Sequence, residues 1–297
     1  MTAYTVDYDL CLEAKSAAIE KLDDIPNISA RNQDLLQILT LDINDVDIDM
    51  VSTMIQEDPR LSAKILGIAN SAYFSSSKSI FTVEDAIISV LGLKLTSSLL
   101  ISLLLEENIG SPSSKYFSMR RFWTNSLTSA YIAKKLAIVS PNVSINPDDA
   151  YLCGLLNNVG LLALATLFEK QYDAVLATEN INSAYELLVL EREIIGIDHN
   201  YAGEILAMKW NLPDQIIESF RHCFNSKYNG EYKMHCILAR LSSDISYCSV
   251  NDIESNHVPT EELNVIGIDE EEYLAIKSYA NEVFQNIDDL SRFLANE

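Results

Sequence analysis

Few side chains in this 297-residue chain could do chemistry. His199 follows Asp198, His222 adjoins Cys223, and the amide pair Asn157-Asn158 lies between Leu155-Leu156 and Val159, with Asn125 about thirty residues upstream. Imidazole nitrogen and thiolate are metal ligands, and a metal-bound water becomes an attacking hydroxide once carboxylate and imidazole hold the ion. An amide oxygen is a neutral, weaker ligand. Two amides set among leucines carry a different implication, because a buried donor or acceptor without a partner costs about 1–3 kcal/mol. Side chains, water or a ligand must therefore satisfy Asn157 and Asn158. No ordering of Ser, His and Asp suggests a nucleophilic triad, and no Gly-rich phosphate loop is present.

Each of these residues also has a plain structural reading. Asp198 has N-cap chemistry, so His199 reads first as a hydrogen-bonding residue at a helix start. His222-Cys223 ends the helix begun after Pro213 and reads as C-terminal dipole complementation beside a buried thiol. For Asn70-Ser71 the choice lies between a contact surface and a turn. The turn is preferred: Asn70 would end its helix in a left-handed conformation while its amide ties down the turn that follows. Trp123 and Trp210 read as core anchors between subdomains.

The elements that must position these residues are helices. Apolar residues recur at three- and four-residue spacing, glycine and proline are few (9 and 7), and no stretch alternates between turn signals. An all-α, compact multi-helix fold is expected. Asp58-Pro59 starts one helix, with Leu61, Ile65, Leu66 and Ala69 as its buried face. Thr82-Val83-Glu84-Asp85 resembles a capping box and opens a second, whose Ala86, Ile87, Val90 and Leu91 face inward until Gly92. Asn146-Pro147 starts a third. The expected linkers are Ser75 to Ile80, Gly110 to Lys115, Ser140 to Asn146 and Cys248 to Pro259. From Asp252 to Glu297 twelve acidic and two basic residues interleave with Leu263, Ile266, Tyr273, Ile276, Tyr279, Val283 and Phe284. That pattern predicts a final amphipathic helical pair with an acidic outer face.

Charge and cysteine usage narrow the classes of partner. A formal charge of -22 makes the average surface repel phosphate backbones and anionic headgroups, so direct binding to nucleic acid is disfavoured. Lys115, Arg120, Arg121, Lys134 and Lys135 form a basic neighbourhood, read as solvation of a helix face. Five scattered cysteines (Cys11, Cys153, Cys223, Cys236, Cys248) contain no CxxC pair and read as reduced, mostly buried thiols. Apolar runs such as Leu99–Leu105 are shorter than the roughly 20 residues of a membrane span, and the acidic N-terminus lacks the features of a signal peptide. A cytoplasmic protein without membrane insertion is expected.

Several segments taken in order resemble the HDOD family, a bacterial-type helical signalling module related to the HD and HD-GYP metal-dependent phosphohydrolases. Ile55 to Tyr73 (IQEDPRLSAKILGIANSAY) is close to the family's "I..DP.L...LL..ANSA.Y" signature. Behind it come Val83 to Gly92, then Phe122-Trp123-Thr124-Asn125-Ser126, then Gly154 to Gly160. His199-Asn200-Tyr201-Ala202-Gly203, Trp210-Asn211-Leu212-Pro213 and His222-Cys223 complete the series. The resemblance covers roughly Ile28 to Asn225. It implies an N-terminal helix over 1–27, an HDOD-like domain with an N-terminal helical subdomain over 28–225, and a C-terminal helical extension over 226–297 packed on that domain.

In the metal-dependent relatives, a His at the Asn125 position and a His-Asp pair at Asn157 and Asn158 bind metal, with further His ligands near His199 and His222. Here Asn125, Asn157, Asn158, His199, His222 and Cys223 would be a degenerate form of that site. The resemblance thus implies a non-catalytic regulatory module, not an enzyme, with no metal and no cofactor. It would stand alone and act by binding signalling proteins of basic or amphipathic surface. An alternative is a small-molecule sensor, for a nucleotide or cyclic dinucleotide, in which Asn125, Asn157, Asn158 and His199 wall the former metal cavity. Residual phosphohydrolase activity ranks third.

Overall fold

Three- and four-residue apolar spacing is realised as helix throughout: among the described residues of the computed structural model every regular element is helical. It describes residues 12–40, 46–74, 79–179, 181–255 and 257–296. Cys11 and part of the Ser75 to Ile80 linker lie outside that set. The N-terminal part contains α1 (Leu12–Leu22), α2 (Ala30–Leu39), α3 (Ile48–Gln56), α4 (Pro59–Ala69), α5 (Val83–Asp85) and α6 (Leu93–Ile109). The middle contains α7 (Met119–Val139), α8 (Pro147–Leu156), α9 (Val159–Leu167), α10 (Glu169–Leu176), α11 (Ala184–Ile195), α12 (His199–Lys209) and α13 (Asp214–His222). Beyond these lie α14 (Lys233–Val250), α15 (Thr260–Ile266), α16 (Glu270–Asn286) and α17 (Asp288–Leu294).

The helix starts follow the capping chemistry. Asp58 accepts from the N–H groups of Arg60 and Leu61 with Pro59 in the first turn. Asn146 accepts from Asp148, and Thr82 accepts from Asp85 while its own hydroxyl donates to the Asp85 carboxylate. The segment Thr82 opens is more irregular than its spacing predicts. After one α-turn it becomes a π-helix over Ala86–Leu91, closed by a bond from the Gly92 N–H to the Ile87 carbonyl. Gly92 then turns the chain at φ 76°, ψ 157°, a region open essentially to glycine alone.

Four local expectations are corrected. Asn70 ends α4 at φ −92°, ψ 2°, not in the left-handed region. Its amide still fixes the chain, donating to the Leu66 and Ile80 carbonyls and accepting from the Ile80 N–H, all at 2.8 Å. Two bonds to Ile80 hold the loop without any backbone inversion. On α4, Ile68 is fully buried and Leu66 only half-buried. The expected linker at Cys248 begins later, since α14 runs to Val250. The acidic C-terminal segment forms three helices, α15 to α17, because Gly267 in the left-handed region ends the first and Ile287, at φ −89°, ψ 3°, ends the second.

α7 is the central strut, flanked by α8, α14, α16 and α17. The principal core runs from Leu22 through α4, α6, α8, α9 and α12 to Leu294. A second cluster joins Ile132, Leu136, Leu241, Leu263, Ile266 and Ile276, tying the C-terminal helices to α7. Trp123 and Trp210 are both fully buried, and the Trp210 indole donates to the Pro26 carbonyl at 3.3 Å, pinning the N-terminal segment to α12. The described cysteines (Cys153, Cys223, Cys236, Cys248) are free and buried. Among the described residues one stretch, Pro147–Leu167, is long and apolar enough to cross a membrane, with 78% of its apolar window buried inside the fold. It comprises α8 and α9, two helices with Asn157 and Asn158 at their junction.

Candidate functional site

Two glycines of the Gly154 to Gly160 segment create the site. A Cβ on Gly154 would lie 2.7 Å from the Ser129 carbonyl oxygen and 2.8 Å from the Ala130 Cα, so α8 meets α7 at backbone distance. A Cβ on Gly160 would collide with the His199 carbonyl, so α9 meets α12 equally closely. The α8–α9 junction therefore places Asn158 beside Asn125 of α7 and near His199, the first residue of α12.

The amides pair with one another. Asn125 Nδ2 donates to Asn158 Oδ1 at 3.3 Å, and Asn158 Nδ2 donates to Ser126 Oγ at 3.3 Å. Asn125 Oδ1 is buried without a partner. His199 is held from behind: its Nδ1 lies 2.7 Å from Glu191 Oε2, and its backbone N–H donates to the same oxygen at 2.8 Å. Tyr172 donates its hydroxyl to the other Glu191 oxygen at 2.9 Å. Burial alone would lower the His199 pKa, but the Glu191 charge and hydrogen bond outweigh it and hold the imidazole above its ordinary value. Asp198 caps α12 through the Tyr201 N–H at 2.8 Å and pairs with Arg192.

Asn125, Asn158 and His199 line one cavity of about 490 Å³, closed by Tyr116, Phe117, Phe122, Tyr172 and Tyr247 and edged by Arg121 and Asn251. Asn157 does not line it. Asn157 and Asn158 both keep near-helical backbone angles, so their side chains point about 100° apart and only the second turns into the cavity. His222 and Cys223 are elsewhere too, in a separate cavity of about 130 Å³ between α13 and α14. There His222 stacks on Tyr228 at 4.0 Å, and burial holds its pKa below the ordinary value. A mostly neutral His222 complements the helix dipole weakly, and Arg221 supplies the positive charge of that last turn. Burial also pushes the Cys223 thiol well above its usual range.

The residues present do not fit a metal ion. Three of the relevant positions are amides, and His222 and Cys223 face another cavity from His199. Among the described residues no three His, Cys, Asp or Glu side chains converge to hold one.

Two side chains at or behind this cavity escaped the sequence reading. Glu191 is completely buried and continues the apolar stripe Leu187, Leu188, Ile195 of α11, so a carboxylate on an apolar stripe was the available signal. Arg121 stood inside the basic neighbourhood with nothing to single it out. Its neighbours in that group are engaged: Arg120 with Asp288, Lys134 with Asp148, Lys135 over Tyr279 and Lys115 over Tyr116.

Residues 25–225 match the HDOD domain. The chain belongs to the HDOD family. Its fold is shared by an HDOD domain protein of unknown function from Geobacter sulfurreducens (22% identity, TM-score 0.72, covering 94% of this chain and 99% of that one). A candidate signal transduction protein from Marinobacter aquaeolei VT8 is similar over 99% of this chain and 67% of its own (20% identity, TM-score 0.83). In sequence, an uncharacterised protein of Treponema pallidum (strain Nichols) is 26% identical over 216 residues, 71% of this chain. The chain spans 40% of the length of that relative. The Asn70 bonds and the Gly154 and Gly160 contacts thus lie within the span that matches the HDOD domain.

Proposed function

We propose that this HDOD protein is a non-catalytic regulatory module of signal transduction that works by binding other proteins. The observation that carries this reading is the dispersal of the donor set: Asn125 and Asn158 bond each other, and His222 and Cys223 line a different cavity from His199. A hydroxide-generating metal centre needs several anionic or imidazole ligands converging on one point. The acidic charge of the chain supports a basic or amphipathic protein partner whose association weakens with salt. Elemental analysis of tag-free protein, with an assay on a chromogenic phosphodiester, tests the non-catalytic part. Sub-stoichiometric metal and no hydrolysis are expected; stoichiometric metal that disappears in His199→Ala would overturn it.

A second reading, a small-ligand sensor, is favoured by one observation. Asn125, Asn158 and His199 share a cavity of about 490 Å³ walled by aromatic side chains, a size and lining within the usual range for small-molecule sites. A thermal-shift screen of a metabolite library, charged and uncharged, tests it. A binding compound at 100 times its Kd adds about 2.7 kcal/mol. Hits abolished by Asn125→Leu support the sensor, and an empty screen removes it.

A further inference from the structure

In the cavity that His199 shares with Asn158, one nitrogen of the imidazole is committed and the other is open. Glu191 accepts from the Tyr172 hydroxyl and lies 2.7 Å from His199 Nδ1. An ionised carboxylate can only accept, so Nδ1 carries a proton and Nε2 lies on the opposite edge of the ring. His199 is 2% exposed and lines the cavity, and among the described residues its Nε2 has no hydrogen-bond partner, yet the atom is not sealed from solvent. A carboxylate behind one ring nitrogen makes the other more basic. Burial lowers the His199 pKa, and Glu191 more than restores it. Nε2 is thus a strong, unpartnered acceptor.

Two hydroxyls join it. Ser243 and Tyr247 stand four residues apart on one face of α14 and line the same cavity. Among the described residues neither hydroxyl has a hydrogen-bond partner, and neither oxygen is sealed off. Tyr247 keeps its proton, its pKa pushed up to about 12 chiefly by burial. Each hydroxyl can donate or accept, so the pair adapts to the polar group set beside it. Around these atoms the walls are apolar and braced: the Phe117 ring lies 6.4 Å from both the Phe122 and the Tyr172 rings. The charges about the space are of both signs. Glu191 is matched by His199, Arg121 donates to the neutral Asn251, and Glu186 accepts from the Asn182 N–H. A charged ligand meets no excess of opposite sign there, whereas a neutral ligand with a weakly acidic hydrogen meets a basic nitrogen.

Resting on the small-ligand reading of this cavity, we propose that it binds a neutral, flat aromatic molecule through a phenolic hydroxyl that donates to His199 Nε2, its ring held among the aromatic walls. A phenol, with the acidity of tyrosine at a pKa of about 10, donates more strongly than an aliphatic alcohol and carries a flat ring with it. The shared hydrogen can stay on the phenol oxygen or move to Nε2; the sum of charges in the cavity is the same either way. A methyl ether in place of the hydroxyl leaves Nε2 unpaired.

Calorimetric titration of the full chain with umbelliferone, a hydroxycoumarin, and with its methyl ether tests this, since the pair differs at the one hydroxyl. Umbelliferone is expected to bind about fivefold to tenfold more tightly than the ether. His199→Phe keeps a flat ring, removes the nitrogen and is expected to erase that preference. If the variant does not fold, the comparison of the two compounds on the wild type still decides, and Glu191→Gln, which leaves His199 in place with a less basic Nε2, should narrow the gap. Equal affinity for the two compounds, blank titrations with both, or a preference that survives in His199→Phe overturns the proposal. The sensor reading fails separately: metabolite hits without an acidic hydroxyl, bound alike by the wild type and His199→Phe, sink the phenol and keep the sensor, whereas an empty library screen with blank umbelliferone titrations removes both.

Discussion

Glu191 carries two opposite demands at the scale of a single residue. Its carboxylate is fully buried, yet one oxygen takes two bonds from His199 and the other takes the Tyr172 hydroxyl. Removing one member of such a buried pair leaves the other without compensation, so Glu191→Ala is expected to cost about 3–5 kcal/mol in urea denaturation. Glu191→Gln keeps the shape and removes the charge; the His199 imidazole should then titrate at lower pH, which NMR of the ring protons would read. The sign of the associated pH dependence follows from the raised folded-state value. The His199–Glu191 contribution is complete below the unfolded imidazole value, about pH 6.5, and is lost as pH rises through the higher folded one. Asp244 is a buried group of the opposite kind, a carboxyl pushed up to about 6 by burial and only partly relieved by Arg240. Its ionisation between about pH 4 and 6 destabilises the fold. Asp244→Asn should therefore raise stability near neutral pH by on the order of 1–2 kcal/mol, and a variant no more stable than the wild type would refute that account.

Single glycines set the approach of the elements. Gly160 lets α9 lie against the backbone of α12, and without that contact Asn158 and His199 do not share a cavity. Gly160→Ala should cost about 3 kcal/mol, because the neighbouring atom is a backbone carbonyl and no side chain can move aside. Gly67 is a useful contrast, since a methyl there meets the ring of Phe293, a half-exposed side chain that can swing away. A chemical melt of both variants should show Gly160→Ala as clearly the worse. The capping residues are also separable. Asp58→Ala removes a carboxylate that satisfies two N–H groups of α4 and should cost about 1 kcal/mol.

Across the whole molecule, excess negative charge is arranged so that most cations are consumed internally. Arg120 and Arg292 both reach Asp288, and Lys64 donates to the Phe293 and Leu294 carbonyls, which binds α17 to α4 and α7. The basic neighbourhood visible in the sequence is thereby dispersed into separate contacts. An outer surface left acidic repels phosphate backbones, and its association with a basic protein should weaken at least severalfold between about 50 and 300 mM salt in a binding titration. Affinity unchanged over that range would reject the electrostatic part of the proposed partner recognition.

Helix periodicity, capping pairs and ordered motifs depend on neighbours along the chain, so the sequence by itself determined the all-α class, the start of α4 at Asp58-Pro59 and membership of the HDOD family. It also exposed the amides at Asn125, Asn157 and Asn158, because residue type is independent of folding. Which of them share a space was not legible. Asn157 and Asn158 are adjacent in sequence, but helical geometry turns one away from the cavity. His222 and Cys223 read as companions of His199 until the path of α13 carried them to a different cavity. Glu191, eight residues before His199, became its partner because the turn at Gly196 brings α11 and α12 together. Whether Arg121 is paired was undecided for the same reason: which carboxylate, if any, arrives beside a cation is chosen by long-range packing alone.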